Sequence, residues 1–90
     1  MRIHACSVAF RHLEVTAADL ARYVTREGFD GLEIWAPHAR AMRDDWRALA
    51  LRPRVPMLAG YLPLGTSDFS RSEAQALVDL TVAWHAPRLR

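Results

Sequence analysis

The sequence has few of the residues that mark secreted, membrane-spanning and nucleotide-binding proteins. It contains one cysteine, Cys6, which excludes an internal disulfide and fits a reducing cytosol. It contains no lysine, and its four glycines form neither a P-loop nor a GxGxxG fingerprint. No apolar run approaches the ~18–20 residues of a transmembrane helix, and the first ten residues are too polar for a signal peptide. These absences predict a cytoplasmic protein with no membrane partner.

Charge and histidine spacing exclude further classes. All 12 basic residues are arginine, set against 10 acidic residues, and they are scattered along the chain. Asp44 and Asp45 lie between Arg43 and Arg47, so this segment predicts a solvated face of mixed charge. A nucleic-acid-binding face needs one basic stripe, and we therefore expect no nucleic-acid partner. The four histidines are far apart, without zinc-ligand spacing, and there is no GxSxG elbow.

The first half of the chain alternates between strand and helix patterns. An apolar segment at residues 3–10 predicts a strand. Thr16 and Asp19 have the spacing of an N-terminal helix cap, and Gly28 stands where a left-handed C-terminal cap belongs, which predicts a helix over 17–27. A second strand follows at residues 31–35.

The second half continues the alternation. A helical pattern over 38–51 ends before Pro53, and a third strand is predicted over 55–62. Ser70 or Ser72 begins a third helix that stops before Pro87, and residues 88–90 start a fourth strand. Apolar residues at helical spacing predict buried stripes in these two helices, with Trp46 and Trp84 in the core. The stripes are Ala39, Met42, Trp46 and Leu49, and Ala74, Leu77, Val78, Thr81 and Trp84.

This order of elements predicts an α/β fold with parallel strands and right-handed crossovers. Two architectures remain open at this point, a doubly wound open sheet and part of a (β/α)8 barrel. In a barrel, Leu32 and Ile34 would pack outward on helices, while Glu33 and Trp35 would face the lumen, with Trp35 at the carboxyl end. Glu33 has two interpretations that the sequence supports equally: a structural salt bridge, for example to Arg2 or Arg90, and a functional role.

Three segments, CSVAFRH, GFDGLEIWAPHAR and MLAGYLPL, resemble the N-terminal third of the xylose-isomerase-like TIM barrels, which include the sugar phosphate isomerases/epimerases. Within that superfamily they are most like the bacterial 3-dehydroshikimate dehydratases. The resemblance implies that residues 1–90 are a single N-terminal fragment of a TIM barrel domain, with about three βα units and the start of a fourth strand. One departure is Ala59-Gly60, which replaces Ser-Asp in the dehydratases.

The resemblance also implies a function. The full-length parent would be a lyase or isomerase dependent on a divalent metal, manganese or magnesium, and would dehydrate 3-dehydroshikimate to protocatechuate. A sugar-phosphate isomerase/epimerase of the same superfamily is the alternative, so the expected partner is 3-dehydroshikimate or a sugar or keto compound. The family's metal ligands and catalytic base come from later strands. We therefore expect no catalytic residue, metal ligand or cofactor in this chain, and no activity from it alone.

Substrate-binding positions follow from the resemblance residue by residue. Tyr61 and Arg90 match substrate contacts, and His12 and His38 match loop histidines of unassigned role. Trp35 joins them as the residue at the carboxyl end of the second strand. Glu33 is expected to orient a neighbour or serve the fold, and not to bind metal.

The length suggests a truncated barrel, because a TIM barrel takes about 250 residues. Such a piece would expose a strand edge and self-associate through it. A non-enzymatic βα interaction module that self-associates is therefore the second hypothesis. A metal-free ligand-binding domain built on an open sheet is the third.

Overall fold

The computed structural model describes residues 3–60 and 71–89, which form four strands and three helices with one 3-10 turn. The strands are β1 (His4–Cys6), β2 (Gly31–Trp35), β3 (Met57–Ala59) and β4 (Arg88–Leu89). The helices are α1 (Ala17–Arg26), α2 (Ala36–Ala48) and α3 (Arg71–Ala83), and the 3-10 turn spans Ser7–Phe10.

All strand pairings in the sheet are parallel, and the strands stand side by side in chain order, β1-β2-β3-β4. A doubly wound sheet reverses its strand order at a switch point, whereas a barrel wall adds each strand next to the one before it. The predicted α/β fold is therefore confirmed, and the order is that of a partial (β/α)8 barrel.

One face of the sheet is sealed by the helices. Ala5, Leu32, Ile34 and Leu58 alternate along the strands on this face, and the last three are fully buried. The predicted outward packing of Leu32 and Ile34 is confirmed. Burial of this apolar layer against the helices is the main favourable contribution to folding.

A pair of tryptophans joins α2 to the end of α3. The Trp46 and Trp84 rings lie 5.3 Å apart between centroids, and both side chains are buried. Trp84 Nε1–H donates to the Ala39 carbonyl at 3.0 Å, so its polar edge is satisfied inside the core. The predicted core position of both tryptophans is confirmed.

The signals for the first helix were accurate. Asp19 N–H donates to Thr16 Oγ1 at 3.1 Å, and Thr16 N–H donates to Asp19 Oδ2 at 3.0 Å, which completes a capping box. These hydrogen bonds lower the pKa of Asp19 below 3.8. Gly28 has a φ of 75°, as expected of a left-handed residue that follows a helix.

Several predicted boundaries were wrong. The first strand ends at Cys6, not at residue 10, because the chain turns into the 3-10 conformation. The second helix begins at Ala36, since proline at position 37 is tolerated in a first helical turn, and it ends at Ala48. The third strand starts at Met57, two residues later than predicted, and its predicted end at 61–62 lies outside the described residues.

The third helix also differs from its prediction. Ser72 lies inside the helix and does not cap it, while Ser70 is outside the described ranges. Leu77 and Thr81 are buried as predicted, but Val78 is 45% exposed and Leu80 takes its place in the core. None of the described helices is long and apolar enough to cross a bilayer.

Candidate functional site

The candidate site lies at the carboxyl ends of β1 and β2 and is organised by Ser7. Ser7 directly follows β1, begins the 3-10 turn and is completely buried. Its Oγ accepts a 2.8 Å hydrogen bond from the Trp35 backbone N–H at the end of β2. The same Oγ lies 3.0 Å from His38 Nδ1. One hydroxyl therefore fixes the end of the neighbouring strand and a histidine ring.

His38 is placed by the first turn of α2, which begins directly after β2. Its ring meets the Trp35 indole edge to face, with centroids 5.1 Å apart. Partial burial lowers the pKa of His38 below its ordinary value of 6.5, because desolvation disfavours the imidazolium. Burial therefore favours the neutral form of the ring.

The contact between Ser7 Oγ and His38 Nδ1 couples the serine hydroxyl to the tautomer of the neutral ring. A serine hydroxyl has one proton and two lone pairs. The oxygen accepts from the Trp35 N–H through one lone pair, and its proton is free to point to His38 Nδ1, in which case the hydroxyl donates and the imidazole accepts. The second imidazole nitrogen, Nε2, then carries the hydrogen and can donate to an oxygen of a ligand.

Glu33 and Cys6 form a second polar pair on the face of the sheet away from the helices. The Cys6 thiol donates to Glu33 Oε2 at 3.2 Å across the β1–β2 pairing. A hollow of about 340 Å³ on this face is lined in part by His4, Glu33, Met57 and Arg88. Cys6 is half-buried and hydrogen-bonded.

The structure brings together some of the predicted binding residues. Trp35 and His38 are in contact, whereas His12 lies in the exposed turn after residue 10, and no described hydrogen bond or ring contact joins it to them. Tyr61 and Arg90 lie outside the described residues. Substrate binding by all five remains a prediction.

Ser7 was missed from the sequence. It lies inside an apolar segment that predicts a continuous strand, and nothing in that pattern indicates a turn. The available signal was a small hydroxyl residue within the CSVAFRH segment, next to the expected carboxyl end of a strand.

The described residues do not provide a metal site. No group of three or more His, Cys, Asp or Glu side chains is arranged to hold an ion anywhere in residues 3–60 and 71–89. A divalent metal at this site would need ligands from elsewhere.

Comparison with known proteins gives two partial matches, and no family model matches the sequence. A 3-dehydroshikimate dehydratase of Bacillus anthracis is 32% identical over 40 residues, which are 44% of this chain and 14% of that protein. The solved structure of the probable 3-DHS dehydratase AsbF, involved in petrobactin synthesis in Bacillus anthracis, matches the whole chain with a TM-score of 0.74 and 18% identity.

The chain spans 37% of the AsbF chain that it matches. The superposition shows the fold, and the predicted resemblance to the dehydratases is confirmed at this level. The chain has the fold of part of a TIM barrel and is similar in structure to about a third of a probable 3-dehydroshikimate dehydratase.

Proposed function

We propose that residues 1–90 are the N-terminal part of a divalent-metal-dependent barrel lyase that dehydrates 3-dehydroshikimate to protocatechuate. The observation that carries the proposal is the Ser7–His38 pair, in which a buried serine orients a half-buried imidazole at the carboxyl ends of parallel strands. In TIM barrels, active sites are built at this end. The full-chain superposition on a dehydratase and the matching 40-residue segment support the choice of reaction.

The reaction removes a proton from the carbon beside the substrate carbonyl, and a ring hydroxyl leaves with a proton as water. Negative charge develops on the carbonyl oxygen as the proton leaves. A neutral imidazole that donates Nε2–H to this oxygen stabilises the charge, and its fixed orientation avoids reorganisation during the reaction. We assign this role to His38, with Trp35 forming the adjacent apolar wall. Tyr61 and Arg90 are proposed as further substrate contacts.

We assign the base that takes the proton and the ligands of the metal to later strands of the barrel, in keeping with the lack of a group of three or more His, Cys, Asp or Glu among the described residues that could hold an ion. The proposed role of this chain is therefore to bind and orient the substrate. The metal would supply additional stabilisation of negative charge, with its ligands coming from other strands of the barrel.

The first test is to sequence the coding DNA beyond codon 90 and to read it in all three frames for further barrel strands. The second test is an activity assay. A protein extended with the encoded strands should form protocatechuate from 3-dehydroshikimate and Mn²⁺, and the 90-residue chain should not. His38→Gln in the extended protein should lower kcat roughly 100-fold, within the range for removal of an oxyanion donor. Absence of turnover in the extended protein would reject the proposed dehydratase activity. Robust turnover by the 90-residue chain would reject the proposal that it is an inactive fragment of a larger enzyme.

A sugar-phosphate isomerase/epimerase is the alternative function, and a sequence difference at the end of the third strand supports it. Ala59-Gly60 replaces the Ser-Asp of the dehydratases directly before the tyrosine position. Assay of the extended protein with ketose phosphates, beside 3-dehydroshikimate, distinguishes the two reactions.

A self-associating interaction module is favoured by the sheet edges. Among the described strands, β1 and β4 each pair on one side only. Light scattering decides this, because a stable monomer would exclude association through these edges.

A further inference from the structure

A second cleft lies at the amino-terminal end of the sheet, opposite the Ser7–His38 pair. It has a volume of about 390 Å³ and is formed by the end of α2, the loop before β3 and the turn after α3. Ligand pockets typically have volumes of about 300–1,000 Å³, so the cleft can hold a small molecule.

The lining of this cleft is strongly basic. No described acidic residue lines it, although the chain as a whole has nearly balanced charge. Of the arginines in this lining, Arg43 forms an ion pair with an acidic residue: its Nε lies 3.7 Å from Asp44 Oδ1 on the exposed surface. Four of the chain's twelve arginines therefore line one cavity, although the arginines are spread along the sequence. The four are Arg43, Arg47, Arg52 and Arg54.

Prolines, a left-handed turn and packed aromatic rings form the walls of the cleft. Pro53 and Pro56 restrict the backbone of the loop that carries two of the arginines. His85 has a left-handed φ of 54°, and its N–H donates to the Val82 carbonyl at 2.9 Å. The packed Trp46–Trp84 pair also lines the cleft.

We propose that this cleft binds a small anion of the diphosphate class. Guanidinium groups pair with phosphate oxygens through parallel hydrogen bonds, and several arginines around one cavity can contact successive phosphates. Arginines near the end of a helix also offset its dipole, which accounts for Arg47 in the last turn of α2. Arg52 and Arg54 are in the loop, where no helix end explains them. The cleft lies at the other end of the strands from the Ser7–His38 pair, although Arg54 also lines the hollow beside Glu33.

The test is a titration of the 90-residue chain with inorganic pyrophosphate, in which calorimetry and tryptophan fluorescence measure binding. The double variant Arg52→Gln/Arg54→Gln removes two charges from the cleft. The matched variant Arg22→Gln/Arg26→Gln removes two charges from the exposed surface of α1, where the ion pairs contribute little to stability.

We expect the loop variant to bind pyrophosphate roughly tenfold more weakly and the α1 variant to bind as the unchanged chain does. Far-UV circular dichroism of both variants verifies that the fold is retained. Three results would overturn the site: no binding at millimolar pyrophosphate, equal weakening in the two variants, or equal competition by chloride at the same ionic strength.

Discussion

Ser7 Oγ lies 3.0 Å from His38 Nδ1 and links the end of β1 to the first turn of α2. The two residues are 31 positions apart, and the contact depends on the parallel β1–β2 pairing that brings the two carboxyl ends together. A single buried hydroxyl thus connects the fold to the tautomer of the ring proposed to contact substrate.

Ser7→Ala should redistribute the His38 tautomers and destabilise the fold. Without the hydroxyl, His38 Nδ1 loses its donor and the Trp35 N–H loses its acceptor, at a cost of about 1–3 kcal/mol for a buried unpaired group. Nitrogen-15 NMR of the imidazole should show a loss of the Nε2–H form at pH 7.5, and urea unfolding should show the lower stability.

The remaining histidines are internal controls for this experiment. Their nitrogen shifts should stay unchanged in Ser7→Ala, because no described hydrogen bond joins them to Ser7. An unaltered His38 tautomer would reject the positioning role of Ser7 even if stability fell. Because the NMR measurement does not depend on activity, it tests the Ser7–His38 contact independently of the proposed reaction.

Stability should depend on pH through His38. Burial lowers its folded pKa below 6.5, so in the window below that value the unfolded chain binds more protons than the folded one. The free energy of unfolding should therefore fall as the pH is lowered through this window. His38→Gln should flatten that part of the urea-derived stability curve between pH 7.5 and 5; an equally steep curve would contradict the assignment.

The sequence was sufficient for the alternation of elements but not for the turn at Ser7. Thr16, Asp19 and Gly28 act through local geometry, and local geometry can be inferred from neighbouring residues. Ser7 owes its position to partners 28 and 31 residues away, so the local pattern offers only its small hydroxyl near a strand end and not its contacts. Val78 shows the same limit, because helical spacing allows a stripe at 78 or at 80 and only the packing decides.

Glu33→Gln should separate the structural and functional roles of this carboxylate. If Glu33 orients a neighbour in the site, the substitution in the extended protein should lower activity roughly 10–100-fold with little change in melting temperature. Cys6→Ala is the matched control, because it removes the donor that pairs with Glu33 Oε2 and leaves the carboxylate in place. A lower melting temperature with unchanged activity would assign Glu33 to the fold.

Trp84→Ala should destabilise the fold by about 3–5 kcal/mol, the usual cost of truncating a buried aromatic residue. The cavity would open beside Trp46, and the Ala39 carbonyl would lose its indole donor. Val82→Ala, at a side chain that is 68% exposed in the last turn of α3, two residues before Trp84, should cost less than about 0.5 kcal/mol. Similar urea midpoints for the two variants would contradict the packing of this core.

Gly31 and Gly28 should respond differently to substitution, because they are required for different reasons. A Cβ at position 31 would lie 2.8 Å from the Arg54 carbonyl oxygen, which accepts the Leu32 N–H at 2.7 Å. Gly31→Ala must therefore displace backbone between β2 and the loop before β3, at about 1–3 kcal/mol. At Gly28 a Cβ meets nothing within 4 Å, but the φ of 75° disfavours any side chain, so alanine should cost about 1 kcal/mol.

Asparagine distinguishes the two causes, since it tolerates left-handed backbone better than alanine does. Gly28→Asn should recover most of the stability that Gly28→Ala loses. Gly31→Asn should be no better than Gly31→Ala, because its Cβ meets the same carbonyl oxygen. Urea unfolding of the four variants measures this, and rescue by asparagine at position 31 would show that the close approach to Arg54 does not limit that site.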